Sequence, residues 1–284
     1  MVSIVKRNGY FVLKHSNKEQ YLGKKIPKNI LEIKREFLLE TLREKWEPSL
    51  EQIKNGYFSS LKHLPKTEIL NRIQEFSYYF THDTNKIEGS SLTPKETYSL
   101  LRFKITPTSK PESDMIEAKK HHETFMEMIK SDKDLSLKNV LEWHKEIFEM
   151  TKPYFAGQIR QSRIAVTGSK SVFPHPKFVP AFLEEFFKWY NKSKTKLNPV
   201  ELAGLVHFRF VSIHPFGDGN GRISRLIMNN VLYGNGYPLL NIKFRERYDY
   251  YRALEKSHTK AEEIYFLKWL VKRYISEYSR HYKD

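Results

Sequence analysis

One short stretch concentrates residue types that could do chemistry together. His214, Asp218 and Asn220 are interleaved with Gly217, Gly219 and Gly221, and Arg222 and Arg225 follow directly. An imidazole titrates near neutrality and can take a proton from a hydroxyl. A carboxylate such as Asp218 holds a hard cation through oxygen. Glycines allow positive φ and let successive N–H groups converge into an anion-binding concavity. The stretch lies between two helical patterns, since Pro215 cannot continue the one before it. The free N–H groups and positive dipole end of the following helix then add to the concavity. Arg222 and Arg225, three apart on its first turn, fall on roughly one face. Such a site suits several negative charges, as a polyphosphate presents. A calcium loop fails, because Arg222 takes the third ligand position and Asn229 the place of the closing glutamate. The chain has no P-loop, kinase signature set or His-Glu-x-x-His.

The elements that must position these residues follow from periodicity. Residues 200–213 are apolar on nearly every side, and Leu226, Ile227, Met228, Val231 and Leu232 continue that character. Helices of this kind, too short for a membrane, belong in the centre of a core. The second of them is expected to begin near Gly221 or Arg222. Residues 66–103 read as a helix with the stripe Ile69, Ile73, Phe76 and Phe80, a polar break, and a second helix capped by Thr93 with Pro94 in its first position. Pro27 fits a first helical turn, whereas Pro48 and Pro65 interrupt the pattern, so several helices are expected over 27–65. Residues 8–22 suggest a small hairpin around Ser16-Asn17-Lys18. Two β-prone runs over 163–173 flank Gly168-Ser169-Lys170, a second hairpin signal, and Pro174-His175-Pro176 stops it. Residues 246–282 read as one or two amphipathic helices. The expected architecture is mainly α with at most two short hairpins, divided into 1–65, 66–111 and 112–284.

Composition narrows the function classes. In 284 residues there is no cysteine, which excludes disulfides, thiolate nucleophiles and Cys-based zinc sites. Hydrophobic residues make up 39%, enough for a sizeable core. No apolar run approaches the ~20 residues of a membrane span, and the N-terminus turns polar too early for a signal peptide. A soluble, cytoplasmic chain with no membrane partner is expected. The formal charge of +16 could attract nucleic acid, but no arginine-rich block, zinc finger or RNA-binding aromatic signature accompanies it. A lysine-rich solvated surface is the favoured reading. His121, His122, His175 and His207 do not repeat a metal-ligand spacing.

The segment His214-Pro215-Phe216-Gly217-Asp218-Gly219-Asn220-Gly221-Arg222-Ile223-Ser224-Arg225 resembles the signature of the Fic (filamentation induced by cAMP) family at every specified position. Gly157-Gln158-Ile159-Arg160, Pro174-His175-Pro176 and Pro199-Val200-Glu201 resemble further landmarks, so the likeness covers roughly 66–260. It implies a Fic-fold helical core with a β-hairpin flap, preceded by a small N-terminal hairpin and helical extension. It also implies a protein adenylyltransferase, moving AMP from ATP to a Ser, Thr or Tyr hydroxyl and releasing pyrophosphate. His214 would deprotonate the target, and Asp218 would hold Mg²⁺ bridging the α- and β-phosphates. Asn220 and the N–H groups around Gly219 and Gly221 would form the anion hole, and Arg222 and Arg225 would meet the outer phosphates. The flap, with Val166, Thr167 and Gly168, would pair with a target segment as a β-strand. The related Doc-like phosphotransferase branch carries lysine where this chain has Gly221, which favours nucleotidyl transfer.

Thr84-Asn85-Lys86-Ile87-Glu88-Gly89 resembles the family's inhibitory motif, Ser/Thr-x-x-x-Glu-Gly/Asn, and places this chain with members whose inhibitory helix precedes the core. By that likeness Glu88 pairs with Arg225. Tyr250 and Tyr251 resemble the tyrosines that flank the adenine base, or equally pack a helix on the core. His258 stands where relatives have a base-contacting asparagine, which loosens the adenine expectation. Removal of AMP, use of another nucleotide, and a basic nucleic-acid-associated regulator that binds nucleotide without turnover stay as alternatives. Self-modification is compatible with the resemblance. For residues 1–65, target recognition, a homodimer and bracing of the inhibitory helix all stay open.

Overall fold

The computed structural model describes residues 2–131, 133–165 and 171–282. Its centre is a pair of helices, α7 (Pro199–Ile213) and α8 (Asn220–Gly234), packed against each other. Asn198 caps α7, its side-chain oxygen accepting the Val200 N–H, and Pro199 occupies the first turn. Twelve of the fifteen residues of α7 are buried, which explains why its sequence has no polar face. The helix stops at His214, whose φ of 52° is left-handed, just before Pro215. α8 begins at Asn220, one residue earlier than the periodicity indicated, because Gly219 with φ 81° turns the chain into it.

Around this pair lie α2 (Lys66–Ile87), α4 (Glu112–Lys130) and α5 (Leu137–Phe148), which meet α8, and α6 (Val179–Ser193) and α10 (Ile264–Tyr278), which cover α7. α9 (Arg247–Lys260) packs on α10, and the two are separated by Ala261 in a left-handed turn. α3 (Pro94–Arg102) starts at the expected Thr93 cap with Pro94 in its first turn, and Glu96 completes a capping box by bonding the Thr93 backbone. α2 buries polar residues as well as apolar ones: Ser77, Thr81, Thr84 and Asn85 all face inward. Asp83 fastens its C-terminal end, accepting from Asn241 Nδ2 at 2.6 Å and from the Phe244 N–H at 3.1 Å.

The N-terminal part departs from expectation in three places. The strands number three: β1 (Ser3–Arg7), β2 (Tyr10–His15) and β3 (Lys18–Gly23), antiparallel in that order. The extra hairpin turns at Asn8-Gly9, both at positive φ, which is the two-residue turn that such a dipeptide favours. α1 (Ile30–Leu61) is one helix that runs through Pro48. Proline costs a helix interior ~3 kcal/mol. Trp46, Leu50 and Ile53 on either side are buried in the common core, and at ~1.5–3 kcal/mol each they offset that cost. Pro27 lies ahead of the helix, its carbonyl accepting the Ile30 N–H in a turn. Pro65, as expected, separates α1 from α2. Among the described residues no helix is long and apolar enough to cross a membrane. Of the anticipated flap hairpin over 163–173, residues 166–170, with Val166, Thr167 and Gly168, lie outside the described residues, and the described flanks 163–165 and 171–173 are not strands.

Candidate active site

The α7–α8 junction is held by its own atoms. The side chain of Asn220 accepts the Phe216 N–H and donates to the Phe216 carbonyl, both at 2.9 Å, closing the loop on itself. The amide oxygen and one of the two Nδ2–H donors of Asn220 thus serve the loop itself. The first intrahelical bond of α8 runs from the Ile223 N–H to the Gly219 carbonyl. The N–H groups of Asn220, Gly221 and Arg222 precede it and lack intrahelical acceptors. Of the three glycines only Gly219 needs positive φ. At Gly217 an added Cβ would meet the Phe155 ring, and at Gly219 the Phe148 ring.

His214 ends α7 with its Nδ1 3.0 Å from the Val211 carbonyl. Nδ1 must donate there, which leaves Nε2 as a bare lone pair. The Phe173 ring packs on the imidazole at 4.1 Å. Burial lowers the His214 pKa to about 4, outweighing the Val211 bond and the Glu88 charge that act the other way. The ring is thus neutral at physiological pH. Arg160, from the Gly157–Arg160 landmark, donates to the His214 carbonyl at 2.7 Å and to the Pro174 carbonyl at 2.7 Å, tying the loop to the segment after the flap.

Both arginines of α8 face α2 and α4 from within the core. Arg225 is 1% exposed. Its Nε donates to Thr84 Oγ1 at 2.7 Å, Nη2 to the Thr84 carbonyl at 3.1 Å and to Glu88 Oε1 at 2.7 Å, and Nη1 to the Tyr250 hydroxyl at 3.3 Å. Glu88 caps the C-terminal end of α2, which delivers its carboxylate onto Gly221, where a Cβ would overlap it. Arg222 pairs with Glu117 of α4 and bonds Asn85 Oδ1 at 3.2 Å. Asp218 accepts the Gly219 N–H through Oδ1 at 2.6 Å, and Lys152 and Arg222 stand on Oδ2 at 3.0 and 3.5 Å. These cations, with that N–H, hold Asp218 and Glu117 ionised, their carboxyls below the usual range despite burial.

A cavity of about 500 Å³ opens over the junction, lined by His214, Asp218, Gly219, Asn220 and Gly221 on one side and by Tyr251, Leu254 and His258 on the other. Tyr250 lines it too but is 1% exposed, its hydroxyl also lying 3.2 Å from His207 Nε2. Tyr250 therefore packs α9 on the core as well as lining the cavity. Tyr251 is half-exposed and donates to the Ile87 carbonyl, bracing the end of α2. His258 has both ring nitrogens engaged, with Ser171 at 2.9 Å and Ser212 at 2.7 Å. Sequence patterns did not single out Glu117, Lys152 or His144. His144 Nδ1 accepts the Gly157 N–H at 2.8 Å, so Nε2–H donates to the Asp218 carbonyl at 3.0 Å, and its ring stacks on Phe216. None of the three sits in a local motif; each reaches the site through tertiary packing.

Fold and site together define a mainly helical protein built on an anion-receptive loop–helix junction beside a neutral histidine. Residues 134–232 match the Fic/DOC family. It is 30% identical over 193 residues to the protein adenylyltransferase Fic of Nematostella vectensis, covering 66% of this chain and 44% of that protein. To the Drosophila melanogaster protein of the same name it is 32% identical over 187 residues, covering 62% and 37%. The chain thus spans less than half the length of these curated relatives. A Fic domain-containing signaling protein from Bacteroides thetaiotaomicron superposes with a TM-score of 0.71 at 28% identity, over 83% of this chain and 96% of that one. Fic-1 from C. elegans superposes with a TM-score of 0.72 at 22% identity, over 92% and 78%, a likeness of fold.

Proposed function

We propose that this chain transfers AMP from ATP to a hydroxyl of a target protein, and that Glu88 restrains it. The observation that carries the reading is the pairing of a lone-pair Nε2 on His214 with the unsatisfied N–H groups that open α8, on one cavity wall. His214 accepts the target's hydroxyl proton, and the α8 amides hold the phosphate oxygens on which charge gathers. Arg225, once released by Glu88, meets the outer phosphate. The relatives' shared name supports AMP as the group transferred. Asp218 fits a magnesium ion: Oδ1 is fixed by Gly219, the residue lines both cavities, and one carboxylate plus substrate phosphates is a common magnesium ligand set. When bound there, the ion would supply charge neutralisation to the phosphates. The target would lie along the flap, pairing through its backbone. The lack of cysteine suits a reducing compartment, and we assign the chain to the cytoplasm.

Purified wild type, Glu88→Gly and Glu88→Gly carrying His214→Ala, incubated with labelled ATP and Mg²⁺, test the proposal through self-modification or a target extract. Label on protein should be strong for Glu88→Gly, weak for wild type and absent for Glu88→Gly carrying His214→Ala. Equal labelling of wild type and Glu88→Gly would refute the restraint. Label that survives loss of His214 would refute the chemistry.

A further inference from the structure

Lys152 follows α5 in the turn that leads to Gly157, outside every motif described above. Its Nζ lies 2.5 Å from Glu117 Oε1 and 3.0 Å from Asp218 Oδ2. Arg222 reaches the same two carboxylates from within the core. Two acids and two bases thus form a neutral, closed set. Within it the partners differ in freedom. Arg222 is only 5% exposed on its side chain and is held by Asn85, Glu117 and the face of Phe148. The side chain of Lys152 is 31% exposed and sits on a flexible stem. A second cavity of about 350 Å³, lined by Lys152, Thr151, Ser90, Ser113 and Glu117, meets the main one at Glu88 and Asp218. It gives the ammonium room to move while it keeps Glu117.

Of the two Asp218 oxygens, Oδ1 already accepts the Gly219 N–H and Oδ2 is the one on which Lys152 and Arg222 stand, so a cation that uses Oδ2 must displace the ammonium or share the oxygen with it. We propose that Lys152 is a tethered counter-ion that occupies Asp218 in the nucleotide-free protein and yields it only to a divalent ion arriving with a polyphosphate. The inference rests on reading the junction as a nucleotide site. A bare divalent ion must displace the ammonium and then sit beside it as a like charge. An ion carried by a polyphosphate brings surplus negative charge, and the displaced ammonium gains a new partner. Metal and nucleotide binding thereby become coupled, each favouring the other. Lys152 is in this account a positioning residue that sets metal affinity; it makes no bond to the reacting phosphorus.

The test uses Mn²⁺ as a paramagnetic substitute, its free concentration read by electron paramagnetic resonance, with Glu88→Gly as the parent protein. Adding Lys152→Met should tighten nucleotide-free Mn²⁺ binding about tenfold or more, the scale of one charge-assisted contact. Lys152→Arg should stay near the parent, and Asp218→Asn should abolish the site. A non-hydrolysable α,β-methylene ATP should raise Mn²⁺ affinity more in the parent than in Lys152→Met. Lys152→Gln repeats the comparison should the methionine variant fold poorly. Unchanged or weaker nucleotide-free binding in both neutral variants would overturn the role given to Lys152. Nucleotide that binds no variant, with or without Mn²⁺, would instead overturn the nucleotide-site reading itself.

Discussion

Glu88 Oε1 accepts a hydrogen bond from Arg225 Nη2 at 2.7 Å, and the carboxylate lies directly on Gly221 at the start of α8. The glutamate therefore occupies both the cation and the open backbone that an anion would use. A side chain at position 221 would force the carboxylate to shift. The glycine whose likeness to the family favoured nucleotidyl transfer is also the glycine against which the Glu88 carboxylate lies.

Removing Glu88 should release activity without unfolding the protein. Arg225 keeps Thr84 Oγ1, the Thr84 carbonyl and the Tyr250 hydroxyl after the carboxylate is gone. One hydrogen bond to a charged group contributes ~1.5–3 kcal/mol, and ~1.4 kcal/mol is tenfold. Glu88→Gly should raise AMP incorporation roughly ten- to a hundredfold. Its melting temperature should drop by only a few degrees, read by calorimetry.

Thr84 has a different consequence. It carries two of the four bonds that hold Arg225, one through its side chain. Thr84→Ala leaves a buried guanidinium N–H without a partner, at a cost of about 1–3 kcal/mol. Denaturant melts should register that loss. In the Glu88→Gly background the same change should lower activity, because the freed arginine is no longer aimed.

Backbone geometry makes Gly219 intolerant. At φ 81° a side chain is strained, and its Cβ would enter the Phe148 ring. Gly219→Ala should destabilise the protein by roughly 1–3 kcal/mol and disorder the loop that carries Asp218. Chemical denaturation and nucleotide titration should report both effects.

The pH dependence follows from buried histidines. Burial takes His122, His144 and His214 to about 4, and lowers His121 and His207 well below the ordinary value. In the unfolded chain these rings bind protons from about pH 6.5 downward. The unfolded state therefore holds more protons, and stability falls as pH drops from about 6.5 towards 4, approaching about 1.4 kcal/mol per pH unit for each ring. For His214 the same shift keeps the base in its competent form. The acid limb of activity in Glu88→Gly should lie below pH 6. Losing the Glu88 charge, which raises the His214 pKa, moves that limb further down. An acid limb at or above pH 6.5 would contradict the assignment.

Much of the site was legible because its residues are improbable neighbours. An imidazole, an acid, an amide, three glycines and two arginines between helices have no simpler structural reason to cluster. The Thr84–Glu88 spacing was legible only through its likeness to the inhibitory motif, and one helical turn sets both on Arg225. Asn8-Gly9 carried a readable hairpin signal, and the third strand followed from it. Pro48 misled because its local effect is offset by burial of distant origin. Glu117, His144 and Lys152 come from α4, α5 and the turn beyond, so nothing in their own neighbourhoods marks them. The side chain of Asn220 illustrates the reverse limit. Its type announced a site residue, and only the closed loop shows that the amide serves Phe216.

The central claim is that phosphorus bonded to the nucleoside side of ATP ends on the protein. Parallel incubations of Glu88→Gly protein with Mg²⁺ and ATP labelled at either the α- or the γ-phosphate test it most directly. The account predicts covalent label from the α-position only, lost with His214→Ala. Label from the γ-position, or none from either while nucleotide binds, would contradict it.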